Sequence, residues 1–159
     1  MTEIQKNGFT VIPEFFTKEE CKKCITDIEW ILEHKKEFVQ KSNDYRVFGA
    51  EDLSENISKF GNNEFFDKLA NAYNGKLTSC AFTLAAKIEA TGDQYGSGGP
   101  WHRDSMFRQF KSMIYLSDVD EDNGPFQIVK GSHKLKEILS DTRSGKLDAM
   151  ESSFKQETV

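Results

Sequence analysis

The chain has 159 residues, of which 37% are hydrophobic and 30% charged, and its net charge is −5 at neutral pH. This length fits one domain with a buried core, and we expect a single domain over residues 1–159. The sequence carries no basic stripe or arginine-rich segment, which argues against nucleic-acid binding. It also has no run of about 18 apolar residues to cross a membrane and no apolar N-terminal signal core, so we predict a cytoplasmic protein.

The N-terminal third predicts a short strand and then a helix. Residues 8 to 16 read as the strand, interrupted by Pro13, and the helix is expected from about 18 to 36. Thr17 and Glu20 form a capping box before it. Cys21 and Cys24 lie inside the helix, without a second cysteine pair, so we interpret them as small apolar residues rather than as a zinc or redox motif.

The middle of the chain predicts loops, a second helix and a long strand. Residues 40 to 61 are polar and irregular, with at most one short strand expected, and a helix is indicated at 63 to 74, ending at Gly75. Apolar residues then alternate from about 80 to 90, which predicts a strand. The glycine-containing loop at 91 to 100 lacks the spacing of a dinucleotide-binding motif.

Two more strands and a short helix are predicted after this loop. The strands are expected at about 107 to 117 and from Phe126 to Gly131, and the helix at 134 to 139. The acidic turn between the strands, 118 to 124, lacks the glycine and the glutamate that an EF-hand requires at its sixth and twelfth positions. Helices followed by strands favour an α+β fold, with helices packed on a β-sandwich or barrel.

The strongest chemical signal is His102-x-Asp104. On an extended backbone, residues two apart point to the same side, so the imidazole and the carboxylate converge on one point. A facial triad for non-haem iron uses such a pair together with a distant histidine. His102 and Asp104 are therefore the candidate metal ligands and catalytic residues, with a structural or surface role as the alternative.

Other polar side chains near this pair are weaker candidates. Lys111 and Tyr115 share one face of the predicted strand and are candidates for binding a carboxylate ligand; a solvated lysine and a core aromatic residue are the alternatives. Only two other histidines are present. His34 falls at a charged helix end, and His133 falls in a turn 31 residues after His102.

Three segments resemble the phytanoyl-CoA dioxygenase-like family of iron(II)- and 2-oxoglutarate-dependent oxygenases. They are GFTVIPEFFTKEEC, WHRDS and KSMIYLSDVDEDNGPFQIVKGSHK, which together span residues 8 to 134. The resemblance implies a double-stranded β-helix, a cupin-like jelly-roll barrel with flanking N-terminal helices. It also implies that His102 and Asp104 bind iron(II), with 2-oxoglutarate and O2 as cosubstrates. The implied reaction hydroxylates a small organic substrate and decarboxylates 2-oxoglutarate to succinate.

One part of the family pattern is missing from the sequence. The family supplies a second metal histidine beyond GSHK and, about ten residues later, an arginine for 2-oxoglutarate. No histidine follows His133. Arg143 lies in the tail after GSHK, but the tail contains no histidine before it. We therefore expect an incomplete oxygenase domain lacking its last strands. The alternative is a short, non-catalytic jelly-roll binding module. A halogenase-type relative would lack the carboxylate of Asp104.

Two further expectations concern partners and substrate. An open sheet edge, left by absent strands, favours self-association. In the family, the substrate is set largely by loops, which here are residues 40 to 61 and 91 to 100. These loops carry no recognisable specificity motif, so the sequence indicates a small molecule without identifying it.

Overall fold

A computed structural model describes residues 2–89, 99–147 and 153–154. Within these ranges, the chain forms five α-helices and one antiparallel sheet of three strands. The helices are Thr2–Asn7 (α1), Lys18–His34 (α2), Glu55–Gly61 (α3), Glu64–Asn74 (α4) and Leu135–Arg143 (α5). The strands are Val39–Lys41 (β1), Asp44–Phe48 (β2) and Leu84–Ile88 (β3). Helices with a small antiparallel sheet agree with the predicted α+β class.

The core lies between α2, α3 and one face of the sheet. The strand order is β1-β2-β3, and Val47 at the centre of the sheet pairs with Val39 on one side and Ala85 on the other. These side chains meet the apolar face of α2, where Ile31 is only 1% exposed. The buried members of this core are Ile28, Ile31, Val47, Ala50, Ile57 and Ala85.

The ends of α2 and α4 follow the signals in the sequence. The Thr17 hydroxyl accepts a hydrogen bond from the backbone N–H of Glu20, and the Glu20 carboxylate accepts one from the N–H of Thr17. The Asn63 side chain caps α4, and Gly75 ends it in the left-handed conformation, at φ 69°. Both predicted helices are confirmed because local side-chain chemistry fixed their ends.

The predictions for residues 8 to 16 and 40 to 61 were wrong in detail. The first segment is irregular and then turns at residues 13 to 16 instead of forming a strand: Pro13 lacks a backbone donor, and Glu14 takes a positive φ of 55°. The second contains two strands and α3 rather than loops with one strand. Ser54 caps α3, and its hydroxyl also donates to Asp27 of α2. Polar side chains in this region therefore hold tertiary contacts.

The C-terminal half contains few regular elements. The residues predicted as strands, 107 to 117 and 126 to 131, form no ladder with another described strand, although exposure alternates from Lys111 to Leu116. The Phe126 N–H donates to the Tyr115 hydroxyl, which joins the two extended segments. A strand requires a hydrogen-bonded neighbour as well as an alternating pattern. The jelly-roll barrel therefore remains a prediction, and the helix predicted at 134 to 139 is confirmed as the longer α5.

Candidate functional site

The predicted pair His102 and Asp104 does converge. His102 Nε2 lies 3.1 Å from Asp104 Oδ1, and both side chains are partly exposed. Two ligands at right angles on one metal ion, with bonds of about 2.1 Å, lie about 3 Å apart. The separation of these two atoms therefore fits two adjacent positions in a metal coordination shell.

The backbone fixes which nitrogen of His102 faces the carboxylate. His102 Nδ1 lies 2.9 Å from the carbonyl oxygen of Pro100. A carbonyl only accepts hydrogen bonds, so Nδ1 carries a proton and donates it. The other ring nitrogen, Nε2, is the one that faces the Asp104 carboxylate. An outer hydrogen bond of this kind commonly orients histidine ligands toward metals.

The second oxygen of Asp104 contacts Lys111. Lys111 Nζ lies 2.5 Å from Asp104 Oδ2. The hydrogen bond from this ammonium lowers the pKa of the Asp104 carboxyl below its usual value, against the opposing effect of partial burial. The carboxylate is therefore ionised at neutral pH, as a metal ligand must be. Its two oxygens contact two different side chains, His102 and Lys111.

Arg103 anchors the pair from the opposite side. Its guanidinium donates to the carbonyl oxygen of Ser132 at 2.7 Å and to Asp141 at 2.8 Å, and its side chain is only 9% exposed. It also lies over the ring of Phe154. Sequence reasoning missed Arg103. The signal was available, because the residue between two that share one side of an extended chain points the other way.

His133 belongs to the packing of the N-terminus. Its Nε2 donates to the carbonyl oxygen of Gln5, and a Cβ atom at Gly8 would lie 2.7 Å from its Nδ1. The neighbouring Gly131 N–H donates to Asn7. His34 stacks on Trp30 at the end of α2. His133 and His34 therefore take part in packing contacts of the fold.

Tyr115 lies on the same extended segment as Lys111. Its hydroxyl accepts the N–H of Phe126 at 2.8 Å, and its side chain is about half exposed. A phenol can still donate its own proton while accepting one, so this contact leaves its donor available. The roles of Lys111 and Tyr115 in binding a carboxylate ligand stay predictions.

The described residues supply two ligands to the candidate site. Nowhere in the ranges 2–89 and 99–147, or at 153–154, do three His, Cys, Asp or Glu side chains group to hold a metal. Cys21 and Cys24 are free thiols in an apolar groove on α2, and burial raises the pKa of Cys24. Residues 91 to 98 of the predicted loop lie outside the described residues. The donor atoms of His102 and Asp104, and the distance between them, fit two coordination positions of iron(II).

The acidic turn is closed by its own side chains. Asp120 accepts the backbone N–H of Asp122 at 3.0 Å, and Asn123 reaches back to the N–H of Asp120. Gly124 then takes the left-handed conformation, at φ 73°. These local hydrogen bonds agree with the interpretation of this segment as a turn.

Comparison with known proteins supports the same family as the motifs. A family model described as phytanoyl-CoA dioxygenase (PhyH) matches residues 4–157, nearly the whole chain. No curated protein and no solved structure matches the chain. Every helix in the described part of the chain is too short or too polar to span a bilayer. The chain belongs to the phytanoyl-CoA dioxygenase family.

Proposed function

We propose that this protein is an iron(II)- and 2-oxoglutarate-dependent oxygenase that hydroxylates a small organic substrate. Membership of a family of dioxygenases supports this type of activity. The observation that carries the proposal is the 3.1 Å approach of His102 Nε2 to Asp104 Oδ1, in which an imidazole nitrogen and a carboxylate oxygen face one point. Imidazole and carboxylate are the ligand types that non-haem iron oxygenases use.

The residues around this point have separable roles. His102 and Asp104 would hold the iron, with the Pro100 carbonyl orienting the imidazole and Arg103 fixing the backbone between them. When bound, iron supplies the oxygen chemistry and the oxidative decarboxylation of 2-oxoglutarate to succinate. Lys111 and Tyr115 are proposed to bind a carboxylate of 2-oxoglutarate through an ammonium and a hydroxyl donor.

A second candidate function is a non-catalytic binding module. It is favoured by the number of donors, because the described residues place two ligands at the site and the ammonium of Lys111 already neutralises one of them. In this case, the chain would bind a ligand through the same surface without iron. The two functions differ in whether His102 determines metal binding.

Anaerobic titration with iron(II) and 2-oxoglutarate tests the oxygenase proposal. The full chain should develop the weak visible charge-transfer band of the iron-bound cosubstrate, and His102→Ala should abolish it. His34→Ala is the matched control, because His34 stacks on Trp30 at the end of α2. Absence of the band in the unmodified chain, or its persistence in His102→Ala, would favour the binding module.

A further inference from the structure

The candidate site contains a cation of its own, the ammonium of Lys111. This group lies 2.5 Å from Asp104 Oδ2, while His102 Nε2 lies 3.1 Å from Asp104 Oδ1. The carboxylate proposed to bind iron therefore already has an ion-pair partner. A metal ion at Asp104 would face this positive charge a few ångströms away, and like charges at that distance repel.

Lys111 is able to leave Asp104. Its side chain is 66% exposed, and lysine carries its charge on a flexible four-carbon chain. An exposed ion pair of this kind contributes little free energy, so its disruption has a small cost. Within the described residues, the Lys111 ammonium pairs with Asp104.

We propose that Lys111 is a counter-ion switch between the two cofactors. A divalent ion and Lys111 compete for Asp104, so metal binding frees the Lys111 ammonium for the carboxylate of 2-oxoglutarate. This inference rests on the proposed function. It adds that Lys111 couples the two ligands, because a metal ion beside Asp104 Oδ1 would repel the ammonium from Oδ2.

Opposite effects of one substitution on two ligands distinguish this switch from a simple surface ion pair. Lys111→Gln removes the competitor and should tighten cobalt(II) binding about threefold to fivefold. The same substitution removes the proposed carboxylate donor, so 2-oxoglutarate should bind the cobalt-loaded protein about tenfold more weakly. Lys111→Arg keeps the charge and should leave cobalt(II) affinity close to that of the unmodified chain.

The experiment is a titration of the full chain with cobalt(II), followed by 2-oxoglutarate at saturating cobalt(II), both monitored by calorimetry and visible absorbance. Lys68→Gln is the matched control, because Lys68 forms a similarly exposed ion pair with Glu64 at 3.0 Å on α4. It should change neither affinity. His102→Ala should weaken cobalt(II) binding with either Lys111 or Gln at position 111.

The outcomes separate this inference from the proposed function. If His102→Ala weakens cobalt(II) binding but Lys111→Gln fails to strengthen it, the switch is wrong and the metal site stands. If Lys111→Gln moves both affinities in the same direction, the switch is also wrong. If cobalt(II) binding is absent, or is unaffected by His102→Ala, both proposals are overturned.

Discussion

The two halves of the molecule are held together in different ways. From Lys18 to Glu89, helices and a hydrogen-bonded sheet enclose a shared apolar core around Ile31 and Val47. From Gly99 to Leu147, α5 is the one α-helix, and the extended segments are joined by individual polar side chains such as Arg103 and Tyr115. Burial of a shared core dominates the first half, whereas in the second half directional contacts accompany a smaller apolar contribution from Leu116 and Leu147.

This difference places the candidate site in the less regular half. Local stability is lowest where few apolar side chains are buried, and ligand-binding segments are commonly drawn from such regions. In the second half, Phe107, Met113 and Phe126 are each more than half exposed. The position of His102 and Asp104 therefore depends on individual side-chain contacts. Among the side chains that make these contacts, Arg103, which lies between the two residues, is the most buried.

Truncation of the central core residue should have the largest effect. Ile31→Ala removes a fully buried side chain that packs against the sheet, and it should lower the free energy of unfolding by about 2 to 5 kcal/mol. Urea denaturation monitored by circular dichroism measures this loss. Leu77→Ala is the control, because Leu77 is 90% exposed and its truncation should be nearly neutral. Equal effects of the two substitutions would contradict the assignment of the core.

Loss of the arginine anchor should have an intermediate effect, concentrated in the second half. Arg103→Gln removes the bonds to Ser132 and Asp141 and should cost about 1 to 3 kcal/mol, since charged hydrogen bonds are lost from a poorly exposed site. Hydrogen exchange followed by mass spectrometry should show faster exchange over residues 99–147, with α2 less affected.

The control for this anchor is Arg143→Gln, the same chemical change at an exposed position of α5. It should leave hydrogen exchange unchanged. Uniform acceleration across both halves in Arg103→Gln would show that the two halves unfold as one unit, and the contrast between them would then be lost.

The smallest expected effect concerns the acid dependence of α2. Hydrogen bonds from the backbone and hydroxyl of Thr17 lower the pKa of Glu20 below its ordinary value of 4.5. Because the pKa is lower in the folded state, this stabilisation is present above the ordinary value and is lost as the pH falls through the lowered one. Glu20→Gln does not titrate and should therefore lose less stability than the unmodified chain between about pH 7 and about pH 3.

Urea midpoints of the two proteins at both pH values measure this difference. Glu19→Gln is the neighbouring control, since Glu19 also lies in the first turn of α2 and is not part of the capping box. If the urea midpoint of Glu20→Gln falls as steeply with acid as that of the unmodified chain, the acid dependence arises from other carboxylates.

The sequence predicted the features that depend on neighbouring residues. The capping box at Thr17, the end of α4 at Gly75 and the convergence of His102 with Asp104 all follow from local geometry over a few positions. The two strands predicted after the site, at 107 to 117 and 126 to 131, are not hydrogen-bonded strands in the structure. An alternating pattern indicates which face is buried but does not supply a hydrogen-bonded neighbour.

The contact between Lys111 and Asp104 could not be predicted from local geometry. Residues seven apart on a regular strand lie about 23 Å from each other, so their contact requires the chain to fold back between them. A bend near Ser105, whose hydroxyl accepts the N–H of Phe107 at 3.0 Å, begins this return. Its geometry depends on how the later segments pack, which no short motif encodes.

The packing of α1 against the GSHK segment affects when α1 can fold during synthesis. Gln5 is anchored by His133, a residue 128 positions later, and Asn7 by Gly131. On the ribosome, this first helix therefore emerges long before these two partners exist. Its isolated six residues are too few for a stable helix in water. This helix thus acquires its contacts with His133 and Gly131 only after more than a hundred further residues have been made.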